Sequence, residues 1–94
     1  MKIWVKITTN ENMSYLRCSY NHLHEIDLED YVAIVVASEI GNAPLEACKA
    51  QAIAARTFAI SRKVLEGKPI SDSAAIAQAF RAKRNNYKNC NEAA

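Results

Sequence analysis

The sequence predicts an α+β domain in which helix dominates: an N-terminal strand or hairpin, two packed helices and the start of a third. Three observations carry that expectation. The opening "KIWVKITT" alternates β-branched apolar residues with polar ones. Two later stretches, "LEDYVAIVVASEI" and "PLEACKAQAIAARTFAISRKVLEG", are too long, and the second too rich in alanine, for strands. Only two Gly and two Pro stand among 94 residues, which disfavours a turn-rich β fold.

A chain of this length makes one small domain, 1–94, and buries about 60–65% of its unfolded surface. Half of its residues are hydrophobic and 23% are charged, an ordinary globular balance. A net charge of +2 is too small to imply a nucleic-acid or anionic-membrane partner. No apolar run approaches the ~18 residues of a membrane span. The start "MKIWVKITTNENM" lacks the apolar centre and small-residue cleavage site of a signal peptide, so two expectations stand equally: the chain stays where it is made, or an export segment lies outside the given sequence. Cys18, Cys48 and Cys90 are widely spaced, odd in number and without a CxxC pair, which reads as three free thiols.

Ile3, Val5 and Ile7 point one way and Lys2, Trp4 and Lys6 the other, giving a half-buried first strand. "ENMSYLRCSY" is read as a second strand of poor alternation, and "NHLHE" as the polar loop that follows it. Asp27 is placed to cap the next helix, with Glu29 and Asp30 in its first turn and Gly41 as its stop. Pro44 suits the first turn of the long helix, which Gly67 and Pro69 end. On that helix Leu45, Ala52, Ile53, Ala59 and Ile60 share one face, and its many alanines invite a close neighbour. The segment "AAIAQAFRAKRNNYKNCNEAA" has no clean period, and a third helix is expected to begin near Asn89.

One position breaks the pattern. Leu28, Val32 and Val35 mark an apolar stripe whose next member is Glu39, within about 20° of Leu28 on the helical wheel. The following helix puts Lys49 and Arg56 inside its own apolar sector, roughly 10 Å apart by helical rise. The residues alone leave two readings open. Either the stripe runs out into solvent at the helix end and the cations snorkel, or the helices enclose a cleft. In a cleft, a partly desolvated carboxyl holds its proton to higher pH and serves as a general acid.

The run "IDLEDYVAIVVASEI" followed by "PLEACKAQAIAARTFAISR" closely resembles the signature of the stage II sporulation protein D (SpoIID) family, densely over residues 26–62 and more loosely over 70–94. That resemblance implies a lytic transglycosylase acting on peptidoglycan glycan strands stripped of stem peptides and leaving 1,6-anhydro-muramic ends. It assigns the general acid and base to Glu39, in the VVASE segment. It suggests Arg56, Lys49, Gln51 and Gln78 as substrate-binding residues, from the AART, KAQA and later Gln positions. It also implies an extracytoplasmic, wall-facing location and no cofactor. Cys48 stands where the family usually has Leu, and Ile40 where Met is common; both are apolar exchanges. Family domains normally continue beyond "NEAA" through further strands, so 1–94 is expected to be the N-terminal part of such a domain. The alternative is a truncated module that binds glycan without turnover or self-associates, with a homodimer as one remedy for exposed apolar surface. Cys18, His22 and His24 have a spacing some zinc sites use, but they read as incidental polar-loop residues and no metal site is assigned. "FRAKRNNYKN" reads as a solvated basic loop, not as a nucleic-acid contact.

Overall fold

The computed structural model describes residues 1–66, 69–73, 77–83 and 92–94, with backbone alone at 62–66. Its elements are β1 (Lys2–Ile7), α1 (Asn10–Leu16), β2 (His22–Asp27), α2 (Leu28–Ile40), α3 (Leu45–Glu66) and β3 (Ile70–Ser71). The architecture is α+β and leans to helix, as the composition implied.

β1 is the centre of a three-stranded sheet of order β2-β1-β3. Its alternation is strict: Ile3, Val5 and Ile7 are buried, and Lys2, Trp4 and Lys6 face out. β2 runs antiparallel to it, from Lys2 opposite Asp27 to Ile7 opposite His22, while β3 pairs in parallel at Val5 and Lys6.

Two expectations change here. The stretch read as a second strand is helix α1, and the stretch read as a loop is strand β2. The failed alternation of "ENMSYLRCSY" has a helical cause, since Met13 and Leu16 pack on the core at a spacing of three. Arg17 closes α1 in the left-handed region and sends its N–H to the Met13 carbonyl. Asn21, also at positive φ, turns the chain back and donates its N–H to Ile7 O at 2.8 Å. β2 is therefore specified by pairing with β1 and not by its own pattern, since His22, Leu23 and Glu25 are exposed along it.

α2 follows β2 without a gap. Asp27 occupies the N-cap with extended backbone, but its carboxylate makes no cap hydrogen bond and instead meets Lys2 Nζ at 3.3 Å. Leu28 and every residue from Tyr31 to Ala37 are buried, so α2 is buried nearly all round and forms the core of the domain. Gly41 ends it with φ 59 and ψ −131, donating its N–H to Ala37 O. A Cβ there would meet only Ala37 O, at 3.9 Å, so the constraint is the backbone angle and not space. We expect Gly41→Ala to cost about 1–3 kcal/mol in urea unfolding through that strain alone.

α3 packs on α2 through Cys48, Ala52, Ala55 and Ala59, all buried. This face is rotated from the expected one, since Ile53 is 66% exposed while Leu45 and Ile60 are only half-buried. Small side chains win the interface because they let two helices approach, whereas bulk alone had favoured Ile53. The beginning of a third long helix near Asn89 lies outside the described residues, although Glu92 and Ala93 are helical.

A buried polar cluster ties residues 8–12 to residues 72–82. The Asp72 carboxylate, 2% exposed, accepts the N–H and hydroxyl of Thr8 on Oδ1. Its Oδ2 accepts the N–H and hydroxyl of Thr9 and the amide of Asn12. Asn12, also buried, donates to Phe80 O and accepts the Ala82 N–H at 2.8 Å. The strand-to-loop segment after β3 is thereby fastened to the start of α1.

Candidate active site

The buried length of α2 stops at Ala37, and the next two residues carry polar chemistry. Ser38 Oγ donates to Ile34 O at 2.7 Å and accepts the Arg81 N–H at 2.8 Å. Glu39 is exposed, and its Oε1 accepts the Ala79 N–H at 3.0 Å. Segment 77–82 thus lies across the C-terminal end of α2.

Further contacts hold that segment in place. Gln78 Nε2 donates to the Tyr31 hydroxyl at 3.0 Å and to the Ala55 carbonyl at 3.4 Å, linking α2 to α3. Phe80 is buried and stacks on the Tyr31 ring, with centroids 5.6 Å apart and planes 16° from parallel. Ala77 N–H reaches Ser73 O, and Phe80 N–H reaches Asp72 O. Burial pushes the Tyr31 phenol up to about 12; the Gln78 hydrogen bond opposes that rise and the charge of Glu39 adds to it. Tyr31 therefore stays a neutral phenol through the physiological range.

The residues expected to act together are distributed over the helix pair. Glu39 and Gln78 are brought together through the Ala79 amide. Arg56 is not brought to Glu39: its guanidinium holds the Glu29 carboxylate and the Ala94 carbonyl. Glu29 and Glu39 are ten residues apart on α2, about 15 Å by helical rise. Lys49 is exposed and paired with Glu46 at 3.5 Å, and Gln51 is half-buried on the same stretch of α3. Of the two readings the sequence leaves open, the described residues do not form an enclosed cleft around Glu39, Lys49 and Arg56: an open carboxylate stands at one end of α2 and an arginine clamp at the other. The stripe does run out into solvent at Glu39. Burial is lost along the helix axis, where the wheel, which shows only angle, has no resolution.

Ser38, Tyr31 and Ala79 were not singled out as site residues in the sequence. Tyr31 lies within "LEDYV" and Ser38 beside the acid, so proximity to the motif was their only signal. Ala79 acts through its backbone, which no side-chain pattern reports. Cys48 is buried on α3 with its thiol toward Ala43 O at 3.6 Å. Among the described residues no helix is long and apolar enough to cross a membrane.

A family model described as "SpoIID: Stage II sporulation protein" matches residues 17–94. That span contains α2, α3, segment 77–82 and each of the polar groups gathered at Glu39. No curated protein and no solved structure matches the chain.

Proposed function

The chain belongs to the SpoIID family of stage II sporulation proteins, and from that premise we propose that it supplies the acid of a peptidoglycan lytic transglycosylase. Glu39 is the general acid and base, and the substrate is a glycan strand free of stem peptides. The observation that carries this reading is the setting of Glu39. It stands open to solvent at the end of a buried helix, with one carboxyl oxygen held by a backbone N–H.

A protonated Glu39 donates to the glycosidic oxygen while positive charge develops at the sugar C1. The carboxylate left behind takes the proton of the same sugar's 6-hydroxyl as that oxygen closes on C1. One carboxyl performs both transfers, so the second carboxylate of ordinary glycosidases is not required. Arg56, Lys49 and Gln51 along α3 serve as glycan contacts. We expect Arg56→Ala to raise KM by roughly 10-fold with kcat little changed, the size of one charged hydrogen bond.

The test is incubation of the chain with denuded glycan strands, followed by mass spectrometry for anhydro-ended fragments. A second reading, a glycan-binding module without turnover, draws support from the engagement of Arg56 with Glu29, which leaves Glu39 without a cationic side chain beside it among the described contacts. Strand binding without anhydro products, at high protein concentration, favours that reading. A third arm of the same experiment is sedimentation, because exposed Trp4, Leu23 and Ile53 offer apolar surface to a second copy.

A further inference from the structure

We propose that Gln78 is a positioning residue for Glu39. By bridging the Tyr31 hydroxyl on α2 and the Ala55 carbonyl on α3, it pins the backbone so that the Ala79 N–H occupies Oε1 and leaves Oε2 to carry the proton. This rests on the reading of Glu39 as acid and base. It gives Gln78 a task other than the glycan contact expected of it.

The geometry supports each link. A glutamine amide has two N–H donors, and both are spent on the two helices. The next residue but one, Phe80, is buried against the Tyr31 ring. Residue 79 is therefore gripped on both sides, by Gln78 and by Phe80, and both grips lead to Tyr31. Its amide has no freedom to turn away from Glu39.

A backbone N–H only donates, so an Oε1 that accepts it cannot also present a proton along the same direction. In the acid form the proton is on Oε2. It passes to the glycosidic oxygen as the C1–O bond breaks and that bond's electron pair leaves with the departing oxygen. In the second step Oε2 takes the proton from the 6-hydroxyl while its oxygen forms the new bond to C1. The Ala79 N–H stays on Oε1 throughout, steadying the carboxylate that exists between the two transfers. Protons and electrons balance with no further reactant.

The test uses the full chain and two readouts. In ¹⁵N-HSQC spectra recorded over a series of pH values, the Ala79 amide should move with the protonation of Glu39, and Glu39→Gln should abolish that movement. Gln78→Leu should at least halve it and lower kcat on denuded strands by about 10-fold or more with KM nearly unchanged, as expected for a misaligned group. Tyr31→Phe keeps the ring stack and removes the hydroxyl, so it should fall between wild type and Gln78→Leu even if the leucine variant folds poorly. An Ala79 titration in Tyr31→Phe and Gln78→Leu that matches wild type overturns the positioning role. A titration that depends on Gln78 in a chain releasing no anhydro products upholds the positioning and overturns the transglycosylase reading. Product formation with an Ala79 titration indifferent to Gln78 does the reverse.

Discussion

Glu39→Gln is expected to reduce anhydro-product formation about a thousandfold while leaving the fold intact. The rate loss is large because one carboxyl performs both proton transfers, and each acid or base contribution is worth roughly 10²–10⁴-fold. A carboxamide neither gives up a proton to a glycosidic oxygen nor takes one from a hydroxyl. The stability effect is small for an equally direct reason. Glu39 is exposed, and the side-chain oxygen of glutamine still accepts the Ala79 N–H, so unfolding free energy should change by no more than about 0.5 kcal/mol. Retained glycan binding together with lost turnover identifies the acid. Loss of both would instead mean that Glu39 contributes to holding the strand.

Periodicity revealed the elements whose burial is repeated along the chain. β1 alternates because one of its faces is core, and α2 and α3 show themselves as long helices by length and composition. The β2 assignment failed because β2 is held by hydrogen bonds to β1, some twenty residues away, and no local pattern encodes them; α1 is a short helix with only Met13 and Leu16 on the core to mark its period. Ile53 misled the reading of α3 because hydrophobicity ranks it above alanine, while the interface selects for small size. Glu39 was visible as a break in the α2 stripe, but its meaning came from the motif around it. Its Ala79 partner lies forty residues away and donates through the backbone. Asp72 and Asn12 carry no local signal. Each reads as an ordinary polar residue in "SDS" or "NEN", and only the fold brings the two, sixty positions apart in sequence, into direct contact.

Asp72→Ala should be the most destabilising single substitution at a polar position among the described residues, at about 3–5 kcal/mol. The carboxylate serves two backbone N–H groups, two hydroxyls and the Asn12 amide. The hydroxyls can turn to other acceptors and the Asn12 amide keeps Phe80 O, but the two backbone N–H groups are left without one, at roughly 1–3 kcal/mol each. A domain of this size has only about 5–14 kcal/mol in total, so a fall in Tm of about 15 °C or more is expected. Asp72→Asn should lose somewhat less. Whichever way its amide is turned, an NH2 group faces donors that Oδ1 or Oδ2 now accepts. The charge also sets a pH dependence. Burial alone would raise the Asp72 carboxyl, but the hydrogen bonds from Asn12, Thr8 and Thr9 together outweigh it and hold the group below its ordinary value. The unfolded chain therefore takes up this proton at a higher pH than the folded one. The contribution is complete above the unfolded value, near 3.8, and is lost as the pH falls from there through the lower folded value. His24 acts in a separate window: burial first, and then the charge of His22, lower its pKa below the usual 6.5. Stability linked to His24 thus begins to fall as the solution is acidified through the histidine range. Urea unfolding of wild type and Asp72→Asn from neutral pH downward separates the two, because the substitution should flatten only the loss in the carboxylate range. A profile unchanged by the substitution would mean that the buried network does not depend on the charge of Asp72.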